Sequence, residues 1–165
     1  MKNNKKAFGF TLIELLVVVA IIAVLAALVF GYLGAAKNKG NDAGIEENLR
    51  NANAQAEIFW NTNTQNPDSY ANVCDNVAQV GGANTLSLFM IAASKDAGLG
   101  GSYISDGSGG TGAVVACNVS ASGDAWAAEA PLFGSTTTTP NMWCVDNSGK
   151  SKRESTSILT NTACN

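Results

Sequence analysis

The sequence predicts an α+β protein: one long N-terminal helix, apolar in its first half and amphipathic in its second, packed on a small antiparallel sheet of three or four strands, with a disulfide-closed C-terminal region. Three observations predict it. An almost unbroken apolar run extends from Phe10 to Leu33. Ile45, Leu49, Ala52, Ala56 and Phe59 then recur at helical spacing. Beyond Ala113, short β-branched and aromatic runs alternate with turn residues, as strands of a small sheet do.

The apolar run comes first. As a helix its 24 residues extend about 36 Å, enough to cross the ~30 Å hydrocarbon core of a bilayer. Lys2, Lys5 and Lys6 precede it, so the N-terminus is expected to stay cytoplasmic and the rest to be exported. Cys74, Cys117, Cys144 and Cys164 all fall in the exported part, where disulfides persist. At 165 residues the chain is expected to hold one folded domain plus, at most, a tail or anchor. Net charge is −3; without the three leader lysines, seven basic groups face thirteen acidic ones, or −6, which does not favour a nucleic-acid surface.

Glu14 is the anomaly, a carboxylate inside the oily run. A cleavable secretory signal would use the small residues Gly34, Ala35 and Ala36 as its cut site, but its core would be unusually long and charged. A plain membrane anchor leaves Glu14 without a purpose. Cleavage after Gly9 supplies one. Phe10 then becomes a new N-terminus with a positive amine, and Glu14 lies one helical turn on, near the positive end of the helix dipole. Where such helices pack side by side, Glu14 of one can pair with the amine of a neighbour and set axial register, as buried polar groups do in coiled coils.

The segment KKAFGFTLIELLVVVAIIAVLAAL resembles the processing and methylation segment of type IV pilins and type II secretion pseudopilins. That resemblance implies a pilin-like fold. It also implies cleavage between Gly9 and Phe10 by a prepilin peptidase, methylation of the Phe10 amine by the same enzyme, and a role for Glu14 in assembly. The expected organisation is a cytoplasmic leader (1–9), a transmembrane and filament-core helix (10–34), and the amphipathic half of the helix with an exported head (35–165). Implied partners are other copies of the chain in a helical filament, the inner-membrane assembly machinery, and the lipid bilayer before assembly. The precursor would sit in the inner membrane as a single-pass protein, and the product in an extracellular or periplasmic filament. A secretion pseudopilin, or a membrane-anchored binding domain that does not polymerise, is the alternative. Many pilins carry a proline late in the apolar run. Here the neighbourhood reads VFGYLG, and Gly31 and Gly34 loosen a helix without forcing a break.

The helix is expected to continue past a weak patch, Asn38 to Gly44, with Glu46, Glu47, Arg50, Asn53 and Glu57 off the apolar stripe. Pro67, after the polar run NTNTQN, ends it near Asn61. Asn84 is expected to cap a second helix that buries Leu86, Phe89, Met90 and Ala93 and ends at Gly98. A glycine-rich connection, 98–112, leads to candidate strands at 113–121, 125–133 and 142–146, and SKRES offers an exposed edge strand. In the second strand, Trp126, Ala128, Ala130 and Leu132 alternate with residues that include Glu129. Four cysteines allow three pairings. Cys144 with Cys164 ties the tail to the sheet, which also resembles the C-terminal loop of many pilins, and Cys74 with Cys117 then links the start of the head to its first strand. Each closure contributes about 3 to 4 kcal/mol by loop entropy.

Other signals are weaker. Gly107, Gly109 and Gly112 fit G-x-G-x-x-G, but a β-branched run follows where a dinucleotide site needs a helix. Asp106 and Asp146 read as turn formers. Without histidine and with no two cysteines close in sequence, no metal site is expected, nor a cofactor, and nucleophilic catalysis has no base, so the chain is not expected to be an enzyme. Lys150, Lys152 and Arg153 form the basic cluster of the head, read as a solvated edge. Asn118-Val-Ser is a glycosylation sequon, and STTTTP offers further hydroxyls.

Overall fold

The computed structural model describes residues 9–105, 113–158 and 160–165. Lys2, Lys5 and Lys6, Asp106 and the Gly107, Gly109 and Gly112 match lie outside the described residues. Contacts divide the chain into a unit ending at Lys37 and a second unit, Asn38–Asn165. Helix α1, Leu12–Thr62, contributes to both.

In the first unit α1 is helical through Gly31 and Gly34, neither of which has a neighbour where a Cβ would sit. Its large apolar side chains from Leu12 to Leu33 are between 47% (Val18) and 82% (Leu12) exposed. By length and composition this is a helix that can cross a membrane.

In the second unit the lower half of α1 buries Ile45, Leu49, Ala52, Ala56 and Phe59, the stripe expected from spacing. Gly44 permits a close approach: a Cβ there would lie 2.8 Å from Asp96 Oδ2. The helix stops where Asn63 turns its amide oxygen onto the N–H groups of Gln65 and Asn66 (3.0 and 3.3 Å), offering the backbone an alternative to another helical turn. A two-residue hairpin follows, β1 (Gln79–Val80) with β2 (Ala83–Asn84). Gly81 and Gly82 both have positive φ (57° and 84°), as a tight turn of this hand requires.

Helix α2 spans Ser87–Asp96. The expected cap is corrected. Leu86 occupies the N-cap position with no side-chain cap, and Asn84 is consumed by β2, its side chain accepting from Gln79 Nε2 at 2.9 Å. Leu86, Met90 and Ala93 are buried and Phe89 is half-buried against the same core.

The main sheet has four antiparallel strands in sequence order: β3 (Ala116–Val119), β4 (Trp126–Pro131), β5 (Met142–Asp146) and β6 (Ser151–Glu154). Trp126, Ala128, Ala130, Trp143 and Val145 face the α1 stripe. Tyr70 packs between Trp60 and Trp126, tilted on the first and edge-on to the second, with ring centroids 4.5 and 6.3 Å away. Strand β6 is the exposed edge, and Arg153 reaches back to Glu46 at 3.3 Å.

The far face of the sheet is also covered. Alternation places Ala127 and Glu129 of β4, and Cys144 and Asp146 of β5, on that face, where solvent is the simplest expectation. All four are instead fully buried. The C-terminal segment crosses over them, and Ala127, Cys144, Ile158 and Cys164 form a second small apolar cluster. Disulfides join Cys74 to Cys117 and Cys144 to Cys164.

Candidate processing and assembly site

Gly9 and Phe10 precede α1 without regular structure, and both are exposed, Phe10 at 81%. A Cβ at Gly9 would meet nothing within 4 Å. Glycine is not demanded there by this chain's own packing.

Thr11 and Glu14 start the helix together. The Thr11 N–H donates to Glu14 Oε2 at 2.9 Å, the Thr11 hydroxyl donates to the same oxygen at 2.8 Å, and the Glu14 N–H donates to Thr11 Oγ1 at 3.3 Å. This is a capping box, in which two N-terminal donors that the helix cannot satisfy are satisfied reciprocally. The signal was available as T-x-x-E in Thr-Leu-Ile-Glu, and reasoning from membrane insertion alone passes over it. Glu14 thus has a partner within its own chain. Both donors fall on Oε2, and Ile13, Glu14, Val17 and Val18 of the helix, with Phe10 just before it, line a shallow apolar groove.

The remaining candidates lie in the second unit. Asn118 is 1% exposed and its amide donates to the Asn161 carbonyl at 3.0 Å, so the folded chain does not offer its sequon to a glycosyl donor. The basic cluster is engaged: Lys150 Nζ donates to the Cys164 carbonyl (2.8 Å), and Lys152 pairs with Glu154 (3.2 Å) and donates to the Asn165 carbonyl. Thr136 to Thr139 are exposed. Among the described residues no group of three or more His, Cys, Asp or Glu side chains is arranged to hold a metal ion.

Two buried carboxylates went unnoticed in the sequence as structural anchors. Glu129 accepts from the Ile158 N–H (Oε2, 2.9 Å) and from the Ser157 hydroxyl. Burial raises its pKa above the usual carboxylate value, and Glu154 adds to the rise, while the two hydrogen bonds oppose it. At Asp146 burial also pushes upward, but four hydrogen bonds outweigh it and hold the carboxyl below its ordinary value. Oδ1 accepts from the Ser148 N–H (2.9 Å), the Ser148 hydroxyl (2.6 Å) and the Lys150 N–H (3.2 Å), and Oδ2 accepts from the Cys164 N–H (2.9 Å).

An exposed glycine–aromatic bond, a capping-box glutamate and a bare apolar helix lie together at the N-terminal end of the described residues. Residues 4–30 match the family model described as the prokaryotic N-terminal methylation motif. The chain is also similar to the type IV wide pilus major component PilA4 of Thermus thermophilus, 46% identical over 59 residues. That match covers 36% of this chain and 43% of the relative, so it spans less than half of either. No solved structure matches.

Proposed function

We propose that this chain is the precursor of a structural subunit of a type IV pilus-like filament, processed between Gly9 and Phe10 and assembled through its apolar helix. The observation that carries this reading is the helix surface: from Leu12 to Leu33 every large apolar side chain is exposed. Such a surface requires cover, first lipid and then neighbouring copies. Lipid already satisfies most of the apolar gain, so moving from bilayer to bundle is decided by packing shape and by polar pairing. Glu14 is the one charge in that surface.

In this mechanism the leader stays in the cytoplasm and the inner membrane holds the precursor. A prepilin peptidase hydrolyses the Gly9–Phe10 amide with water, leaving a Gly9 carboxylate and a Phe10 ammonium; the amine then loses a proton, takes a methyl group from an external methyl donor and stays positively charged. The new charge adjoins Thr11, so it forms beside the capping box. Glu14 of one copy meets the Phe10 ammonium of the next, with Thr11 holding the carboxylate orientation in the meantime. Pairing offsets the cost of a charge among apolar helices and selects one axial offset between subunits. The second unit is then carried on the filament surface.

Replacement of Glu14 by alanine tests the reading. Cleavage and membrane insertion are expected to persist while filaments disappear. Filaments formed at the normal level by the alanine variant would remove Glu14 pairing from the assembly mechanism, and cleaved, inserted chains that form no filaments even as wild type would make the helix a plain anchor.

A further inference from the structure

We propose that Glu129 and Asp146 are positioning residues for the Cys144–Cys164 disulfide: their carboxylates seat the C-terminal segment on the sheet so that the two thiols meet before they are oxidised. The geometry brackets the bond. Cys144 of β5 lies directly across from Glu129 of β4, and Asp146 is two residues further along β5 on the same face. Glu129 takes the Ile158 N–H and the Ser157 hydroxyl, while Asp146 takes the N–H of Cys164 itself. The Cys164 carbonyl is held in turn by Lys150 Nζ at 2.8 Å, so the backbone of this cysteine is fixed at both its donor and its acceptor. Asn118 adds a bond to the Asn161 carbonyl midway.

Among the described residues, little apolar packing is available for this work: the described part of the segment after β6 has no helix or strand, and the described cluster under it is Ala127, Ile158 and the two cysteines. Loop closure alone gives no preference for a particular seat, and 20 residues separate Cys144 from Cys164. What selects the seat is therefore the set of buried acceptors, which are costly if left unmet and are met only when the segment lies down. The chemistry balances simply. Two thiols lose two protons and two electrons to the disulfide of an external thiol–disulfide oxidant, which leaves as a dithiol, and one S–S bond forms.

The test is the effective concentration of each cysteine pair in the full-length protein, equilibrated in glutathione redox buffers, trapped by alkylation and read by peptide mapping. Glu129→Ala and Asp146→Asn are each expected to lower the value for Cys144–Cys164 about tenfold, the size of one lost charge-assisted bond. Cys74–Cys117 is the internal control and is expected to stay within about twofold, since neither carboxylate touches it. Glu129→Gln, which keeps an acceptor for Ile158, restores the Cys144–Cys164 value. No change in either variant overturns the proposal, and so does an equal fall of both pairs, which would mean general loosening. A second measurement needs no carboxylate variant. In a Cys144→Ser, Cys164→Ser double variant, the Ile158 amide is expected to remain protected from hydrogen exchange, and exchange at the free-peptide rate would also overturn it.

Discussion

Replacing Glu129 with glutamine is expected to leave the protein at least as stable as wild type at pH 7 and to remove one limb of its pH dependence. Glutamine fits the site as built. Its carbonyl accepts the Ile158 N–H that Oε2 accepts at 2.9 Å, and its amide donates to the Ser157 oxygen, which then acts as acceptor. Nothing buried is left unmet, and a desolvated charge is removed. In the wild type, burial and Glu154 raise the Glu129 pKa above 4.5, so the folded chain holds this proton more tightly than the unfolded chain. The stability this group contributes is then fully present below about 4.5 and is lost as pH rises through the folded value. One proton contributes a slope of at most about 1.4 kcal/mol per pH unit. The assay is urea unfolding of the mature protein between pH 4.5 and 7, wild type against Glu129→Gln, with Glu129→Ala as the control. The alanine variant leaves the Ile158 N–H unmet and is expected to lose about 1 to 3 kcal/mol. A glutamine variant that loses as much as alanine, or keeps the wild-type slope, refutes the reasoning.

Asp146→Asn is expected to behave oppositely to Glu129→Gln: both Asp146 oxygens face backbone donors, so whichever position the amide takes meets an N–H, with a loss of about 1 to 3 kcal/mol by thermal unfolding. Its lowered pKa also gives the wild type stability that is present above 3.8 and lost as pH falls through the folded value, a limb that Asp146→Asn should lack. Gly81→Ala drives a Cβ into Asn63 Oδ1 at φ 57°, so both the β1–β2 turn and the stop of α1 should suffer, with about 1 to 3 kcal/mol lost in the same assay. Tyr70 and Tyr103 are each pushed up to about 12, mainly by burial, so phenolate absorbance should show two tyrosines ionising near there, and titration of all tyrosines at about 10 would contradict their packing.

The long helix was legible because both of its halves speak through periodicity and composition. Ile45, Leu49, Ala52, Ala56 and Phe59 keep one spacing over four turns, and one face of a helix on a sheet must be apolar. The four-stranded sheet was legible for a related reason, since β-branched and aromatic runs bounded by turns have few other uses. The β1–β2 hairpin was not, because two-residue strands show no alternation, although Gly81-Gly82 between Val80 and Ala83 carries the turn signal. Likewise the pattern of β4 assigns Glu129 to the far face without saying what lies over it. The covering segment, with Ser157, Ile158, Asn161 and Cys164, has no period and is held by carboxylates far away in sequence. At the proposed processing site the reasons for Glu14 overlap: the capping box is local and spelled in four residues, while the exposed helix around it is the surface that we propose lipid and other copies cover.

The most direct measurement for the central claim is the intact mass of this chain recovered from sheared surface fibres. A subunit running from Phe10 to Asn165, heavier by one CH2 for a methyl that replaces a hydrogen and lighter by four hydrogens for its two disulfides, is the expected result. Fibres that lack the chain, or a mass corresponding to cleavage after Ala36, would contradict assembly through an intact apolar helix.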